Sequence, residues 1–272
     1  MKNSLQNKLI KSILLFSFLA VTVTLITVPM QILFSGIASF DVKIFSFGNN
    51  MYAVLPSVIN TFLLVLLTTV LAFPISLFAA MFLWFYEHHI PRLVRVFQAL
   101  IDSLGAVPSI VYALFGLMLF VDRLGLGFSL LSGVLTMTII VLPILIRACE
   151  QSLQAIPKDV YLSGISLGQS KIYVMLFVLL PQAWRGVCSG ILLSAGRIVG
   201  ESAALIFTLG TASGIITSFR SSGRTLAVQV YALAGEGLYL PYAYATSLVL
   251  LAFAALLYAL SRIIVGRRNG YE

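Results

Sequence analysis

Arg197 and Glu201 are the pair in this chain whose types and spacing suit chemistry. They stand four residues apart in an apolar stretch, so on a helix they share one face. A charge at the centre of a bilayer costs about 2.5–3.5 kcal/mol on insertion scales. Two readings account for accepting that cost twice. Either the charges neutralise each other and join helices, or their face lines a polar path, with Arg197 meeting an anion and Glu201 tuning or gating it. Guanidinium suits an oxyanion because its planar fork donates parallel hydrogen bonds. Ser202 follows directly, and Gly196 and Gly200 on the adjoining face admit a close helix. Arg220 and Arg224, beside Ser218, Ser221 and Ser222, are either attractors at an external mouth or ordinary solvated loop charges.

A second polar stretch, 147–181, carries Arg147, Glu150, Lys158, Asp159 and Lys171 in a chain where charge is scarce. Pro157 favours a helix start, and Asp159 adds negative charge near that start. Gly168 is placed to stop the helix, with a turn at Gln169 and Ser170. Leu162, Ser163 and Gly164 fall between, and the two small residues would let a partner surface approach the backbone. A second helix is predicted from about Lys171 toward Leu180 and Pro181. The stretch reads as a plug by which an outside motor moves the membrane part, or as an ordinary loop between membrane helices.

Catalytic signals are missing from the sequence. It contains no phosphate-binding G-x-x-x-x-G-K-[ST] loop and no G-x-S-x-G, H-E-x-x-H or paired-cysteine motif. Cys149 and Cys188 lack ligand spacing and read as inert small residues. His88 and His89 are adjacent rather than four apart and read as interfacial. No metal and no cofactor are implied, and the chain does not bind ATP through such a phosphate loop.

The elements that must position these residues follow from composition. Hydrophobic residues make up 60% of the chain and charged residues 10%, with mean hydropathy +1.05. Soluble domains average roughly 25% charged residues. Several uncharged runs are long enough to cross a bilayer, and in lipid such runs must be helices. The fold class is therefore an all-α integral membrane protein with six transmembrane helices. They are predicted at about 13–34, 57–85, 109–121, 128–146, 186–207 and 242–265, with an amphipathic interfacial helix over 92–104. The first is too long for a cleaved signal and reads as an uncleaved span, followed by an external loop to residue 56. Pro74 should kink the second. Residues 208–240 are placed outside, with a short helix near 225–233.

Of the 17 Lys and Arg residues, four fall in segments placed outside (Lys43, Arg123, Arg220 and Arg224) and Arg197 falls within a helix. The other twelve fall inside, which predicts both termini cytoplasmic. The net charge of +8 records this orientation and does not call for nucleic acid.

Three stretches resemble ABC importer permeases. The 147–181 region is similar to their cytoplasmic signature loop, with Gly168 at its central glycine and Leu180 and Pro181 at its end. Residues 105–116, GAVPSIVYALFG, and 196–202, GRIVGES, resemble segments typical of phosphate-importer permeases of the PstA type. The likeness covers about 57–265. One departure is that the loop's usual Glu-Ala-Ala reads Leu162, Ser163, Gly164, which removes an acidic contact.

The resemblance implies a type I ABC importer permease core over 57–266, with a coupling loop at about 148–182. Residues 1–56 would add one helix and an external loop, and 267–272 a cytoplasmic tail. Its partners would be a second homologous permease subunit, two ATPase subunits, an external phosphate-binding protein and the lipid bilayer of the cytoplasmic membrane. Residues 158–168 would be the coupling helix, docking through Lys158, Asp159, Leu162, Ser163, Gly164 and Gly168. Arg197, Glu201 and Ser202 would stand on the phosphate route. Alternatives are a permease for another oxyanion or nutrient, or a stand-alone channel or secondary carrier.

Overall fold

Apolar runs with no water to satisfy their backbone close their hydrogen bonds internally, and the chain is helical almost throughout. The computed structural model describes residues 2–45, 52–87, 89–235 and 239–266, and contains no strand among them. His88 and the tail at 267–272, with Arg267 and Arg268, lie outside the described residues.

The helices in order are α1 (Lys2–Ala38), α2 (Val54–Tyr86), α3 (Pro91–Ala106), α4 (Ser109–Arg123), α5 (Leu130–Gln154), α6 (Lys158–Ser166), α7 (Lys171–Val199), α8 (Ala203–Ile206), α9 (Leu226–Gly235) and α10 (Leu240–Gly266). Five are long and apolar enough to cross a bilayer: α1, α2, α5, α7 and α10. The α3–α4 pair, bent by 93°, brings the count to the predicted six when it is taken as one span. Its break falls at Val107 and Pro108, inside the predicted breaker. Pro108 has no N–H to continue the ladder.

α5 is the axis of the bundle. It packs against α2 on one side and α7 on the other, around Leu64, Met137, Leu145, Leu153 and Leu179, all fully buried. By contrast α1 keeps nearly all its apolar side chains exposed and rests on α10, where Gly36 meets Leu248 and Tyr244.

Two predicted boundaries need correcting. The helix predicted to end at 146 runs on to Gln154, because the charges that suggested a loop find partners on α3. The helix predicted over 186–207 is instead Lys171–Val199. Pro181 looked like an end, yet its ring would strike only the carbonyl of Phe177. A wider π-type turn over Val174–Leu179 takes up that clash. The loop between these spans therefore shrinks from 148–182 to 155–170. Pro74 does not interrupt α2 either.

The segment predicted as a loose outer loop is instead stitched to the bundle. The N–H groups of Ser129, Leu130 and Leu131 at the start of α5 donate to the carbonyls of Thr208, Ser221 and Phe219. Asn60, fully buried on α2, donates to the carbonyls of Gly214 (2.9 Å) and Arg224 (3.2 Å) and accepts from the N–H of Ile216 (2.9 Å). Gly210 and Gly214 have φ of 92° and 114°, a left-handed backbone that suits glycine.

Candidate functional site

Arg197 lies in the last turn of α7, and Glu201 just beyond the helix end at Gly200. The predicted pairing is present: Nη2 of Arg197 is 3.0 Å from Oε2 of Glu201. The two partners differ in exposure. The Glu201 side chain is 5% exposed and also accepts the N–H of Ala204 at the start of α8. The Arg197 side chain is 45% exposed. Arg197 lines a 630 Å³ cavity together with Ile144, Ser189, Leu193, Ala254, Leu257 and Tyr258, among others. Ile144 sits in the middle third of α5, Ala254 and Leu257 in the middle third of α10, and Arg197 in the last turn of α7. The cavity thus lies between these three helices, beside the exposed side chains of Leu193 and Tyr258. The charges neutralise each other, and the arginine side chain also remains partly exposed. Ser202 is half-buried beside Glu201.

The structure does not bring Arg220 and Arg224 together as a mouth. Arg220 is exposed, whereas Arg224 is 4% exposed and its carbonyl is held by Asn60. A loop position gave no sign that an arginine would be folded inward.

α6 begins right after Pro157, with Asp159 in its first turn. It stops as predicted at Gly168, whose φ of 79° turns the following N–H, that of Gln169, back to the carbonyl of Gly164 (3.4 Å). Its inner side is anchored by Tyr161, whose ring packs edge-on against Trp84 at 5.1 Å. Its outer side exposes Lys158, Asp159, Leu162, Ser163 and Leu167, and Asp159, Leu162, Ser163, Ser166 and Leu167 border a 420 Å³ groove. Gly164 does not belong to that outer side. A Cβ there would lie 2.8 Å from Cγ2 of Val174, so the glycine admits the chain's own α7 rather than a partner.

A cluster not anticipated from the sequence lies where α3 crosses the C-terminal half of α5. Arg147 pairs with Asp102 through Nε (2.7 Å) and Nη2 (2.5 Å), with Glu150 through Nη1 (2.7 Å), and with the Gln98 carbonyl (3.0 Å). Gln98 Nε2 donates to Glu150 Oε1 at 2.6 Å. The hydrogen bond from Arg147, reinforced by its charge, holds the Asp102 carboxyl below the usual carboxylate range. The only signal in the sequence was the spacing of Gln98 and Asp102 on one face of the interfacial helix. Their partners lie 45–52 residues away.

Comparison with known proteins decides the family. Residues 72–270 match the model of the family described as "Binding-protein-dependent transport system inner membrane component". The chain belongs to this family. It is a multi-pass membrane subunit of a transport system rather than an enzyme, and the match takes in every candidate residue named above while leaving out α1.

Among relatives in this family, the chain is 35% identical over 195 residues to the phosphate transport system permease protein PstA homolog of Mycoplasma pneumoniae, covering 69% of this chain and 29% of that protein. It is 34% identical over 163 residues to the phosphate transport system permease protein PstA 1 of Mycobacterium tuberculosis, covering 60% and 53%. A probable ABC transporter permease protein, YqgI of Bacillus subtilis, is 32% identical over 151 residues, with 56% and 51% covered. The matches thus span about half of these relatives or less. In fold, the chain is similar to an inward-facing MetNI methionine ABC transporter, with a TM-score of 0.67, 18% identity and coverage of 79% and 95%. It is equally similar to a bacterial alginate ABC transporter solved with its periplasmic protein, with a TM-score of 0.67, 13% identity and 96% of each chain covered.

Proposed function

We propose that this chain is a permease subunit of an ATP-driven importer and carries inorganic phosphate into the cell. The observation that carries the reading is Arg197, fixed on one side by Glu201, half-exposed, and lining a 630 Å³ cavity between α5, α7 and α10. One ion pair engages only part of its five N–H donors, so the rest suit the oxygens of a tetrahedral oxyanion. Glu201 offsets part of the charge, which favours binding weak enough for release. The relatives named phosphate transport permeases support phosphate as that oxyanion.

In this reading Ser202 lies on the same route and Arg220 marks the outer approach. A second homologous permease subunit completes the path, and an external phosphate-binding protein delivers the solute. Two ATPase subunits drive it, one of them gripping α6 through Lys158, Asp159, Leu162, Ser163 and Leu167. Gly164 and Gly168 shape that helix from within. The membrane is the cytoplasmic one, with both termini inside, which the twelve-to-four distribution of basic residues supports.

The test is uptake of labelled phosphate and sulfate by the whole complex in vesicles loaded with ATP. Phosphate should enter, and Arg197→Ala should stop entry while the complex still assembles. Wild-type vesicles that take up no phosphate, or Arg197→Ala vesicles that take it up normally, would overturn the proposal. An effect confined to ATP coupling is expected from Leu162→Asp: ATP hydrolysis should lose its dependence on the binding protein.

A further inference from the structure

The cluster of Gln98, Asp102, Arg147 and Glu150 joins two elements that meet nowhere else through charge. Glu150 is 1% exposed, yet its carboxylate receives hydrogen bonds from Gln98 (2.6 Å), Arg147 (2.7 Å) and Gln154 (3.4 Å). Arg147 turns its other donors on α3, at the Asp102 carboxylate and the Gln98 carbonyl. A carboxylate and guanidinium satisfied this fully hold one geometry, because each loses a directed, charge-assisted bond when displaced. Apolar contacts agree: Val94 and Ile101 of α3 are buried with Leu83 and Ile146, and Gly105 closes on Pro143. α3 is therefore fastened to α5 from Gln98 to Gly105, while its first turns pack on α2 through Leu83 and Phe82.

At its two ends this joined unit is connected differently. Toward α6, only residues 155–157 separate Gln154 from Lys158, so a displacement of α6 must reach α5 within a few residues. Toward α4, the chain turns by 93° through Val107 and Pro108. Across that bend one side-chain hydrogen bond is present, from the Tyr112 hydroxyl to the Leu104 carbonyl at 2.7 Å. A stiff unit with a short link at one end and a proline-marked bend at the other is a lever.

We propose that Gln98, Asp102, Arg147 and Glu150 are positioning residues that make α3 travel with α5, so that movement of α6 is delivered to the α3–α4 bend. This rests on the transport function proposed above. The cluster touches no solute; it acts by fixing which helices move together.

The test uses the whole complex in vesicles and reads phosphate moved per ATP hydrolysed. Gln98→Glu sets a carboxylate against the Glu150 carboxylate and should lower that ratio about tenfold while hydrolysis continues. The double variant Gln98→Glu, Glu150→Gln exchanges donor and acceptor at unchanged net charge. It should restore the ratio to within about twofold, as coupled neighbours do. In parallel, spin labels at the exposed positions Leu93 on α3 and Met118 on α4 should change separation on ATP addition in the parent and the double variant, and not in Gln98→Glu. An unchanged ratio in Gln98→Glu, a loss of hydrolysis together with uptake, or a double variant no better than the single would overturn the proposal. If the parent moves no phosphate but its labels respond to ATP as described, phosphate falls as the substrate and the lever stands.

Discussion

Two arginine–carboxylate groupings sit in the same apolar bundle and are built to opposite ends. Where α3 crosses α5, Arg147 is 27% exposed, meets two carboxylates and a carbonyl, and belongs to a cluster with a buried glutamate. At the end of α7, Arg197 is 45% exposed, meets one carboxylate and borders a cavity. The first spends its donors on the protein. The second keeps donors for something else. The contrast shows that an arginine in a membrane helix is not by itself a sign of a substrate path; its degree of internal satisfaction separates a strut from a site.

The comparison can be broken first at Glu150. Glu150→Leu leaves Arg147 with one carboxylate fewer in a buried setting, and breaking a buried pair costs about 3–5 kcal/mol. The low end is expected because Asp102 remains. The measure is the melting temperature of the detergent-purified complex, which should fall by several degrees, and by more than in Arg197→Ala, where Glu201 loses a half-exposed partner and keeps the N–H of Ala204. Next comes Arg197→Ala itself, where loss of a charged hydrogen bond to solute, about 1.5–3 kcal/mol, should cut phosphate uptake by roughly 10- to 150-fold. Arg197→Lys keeps the charge without the fork and should fall in between; equal activity of Lys and Arg would weaken the reading of the cavity as an oxyanion site.

A smaller effect is expected at Gly168, where φ of 79° makes Gly168→Ala cost about 1–2 kcal/mol of helix-end strain. It should lower thermal stability without changing the specificity for phosphate. The smallest belongs to Asp102. Its carboxyl is lowered by Arg147, so the pair's contribution is present above the ordinary carboxylate range and is lost as pH falls through the lowered value. Melting followed from neutral to acid pH should show this loss in the parent and not in Asp102→Asn. A flat parent profile would remove Asp102 from the cluster's working members.

What was legible in the sequence was local. Uncharged runs gave the spans, the Gly105 to Pro108 breaker gave the bend, and Pro157 and Gly168 gave the ends of α6. Four-residue spacing gave the Arg197–Glu201 pair. What was not legible depended on partners distant in the chain. Arg147 and Glu150 looked like loop charges because Asp102 and Gln98 lie far away in sequence. Pro181 looked like a helix end because nothing local announces a π-type turn. Arg224 looked solvated, although the segment around it folds inward onto Asn60. Gly164 looked like room for a partner, and the room is filled by Val174.

That inward fold concentrates risk in a single side chain. One carboxamide on α2 serves three main-chain groups that arrive 154, 156 and 164 residues later. Substituting Asn60 with leucine would strand all three in a dry setting at once. The segment that covers the start of α5 therefore has its densest fastening at one peg, and losing that peg would loosen three points of the cover together, leaving the bonds to Ser129, Leu130 and Leu131 to hold it.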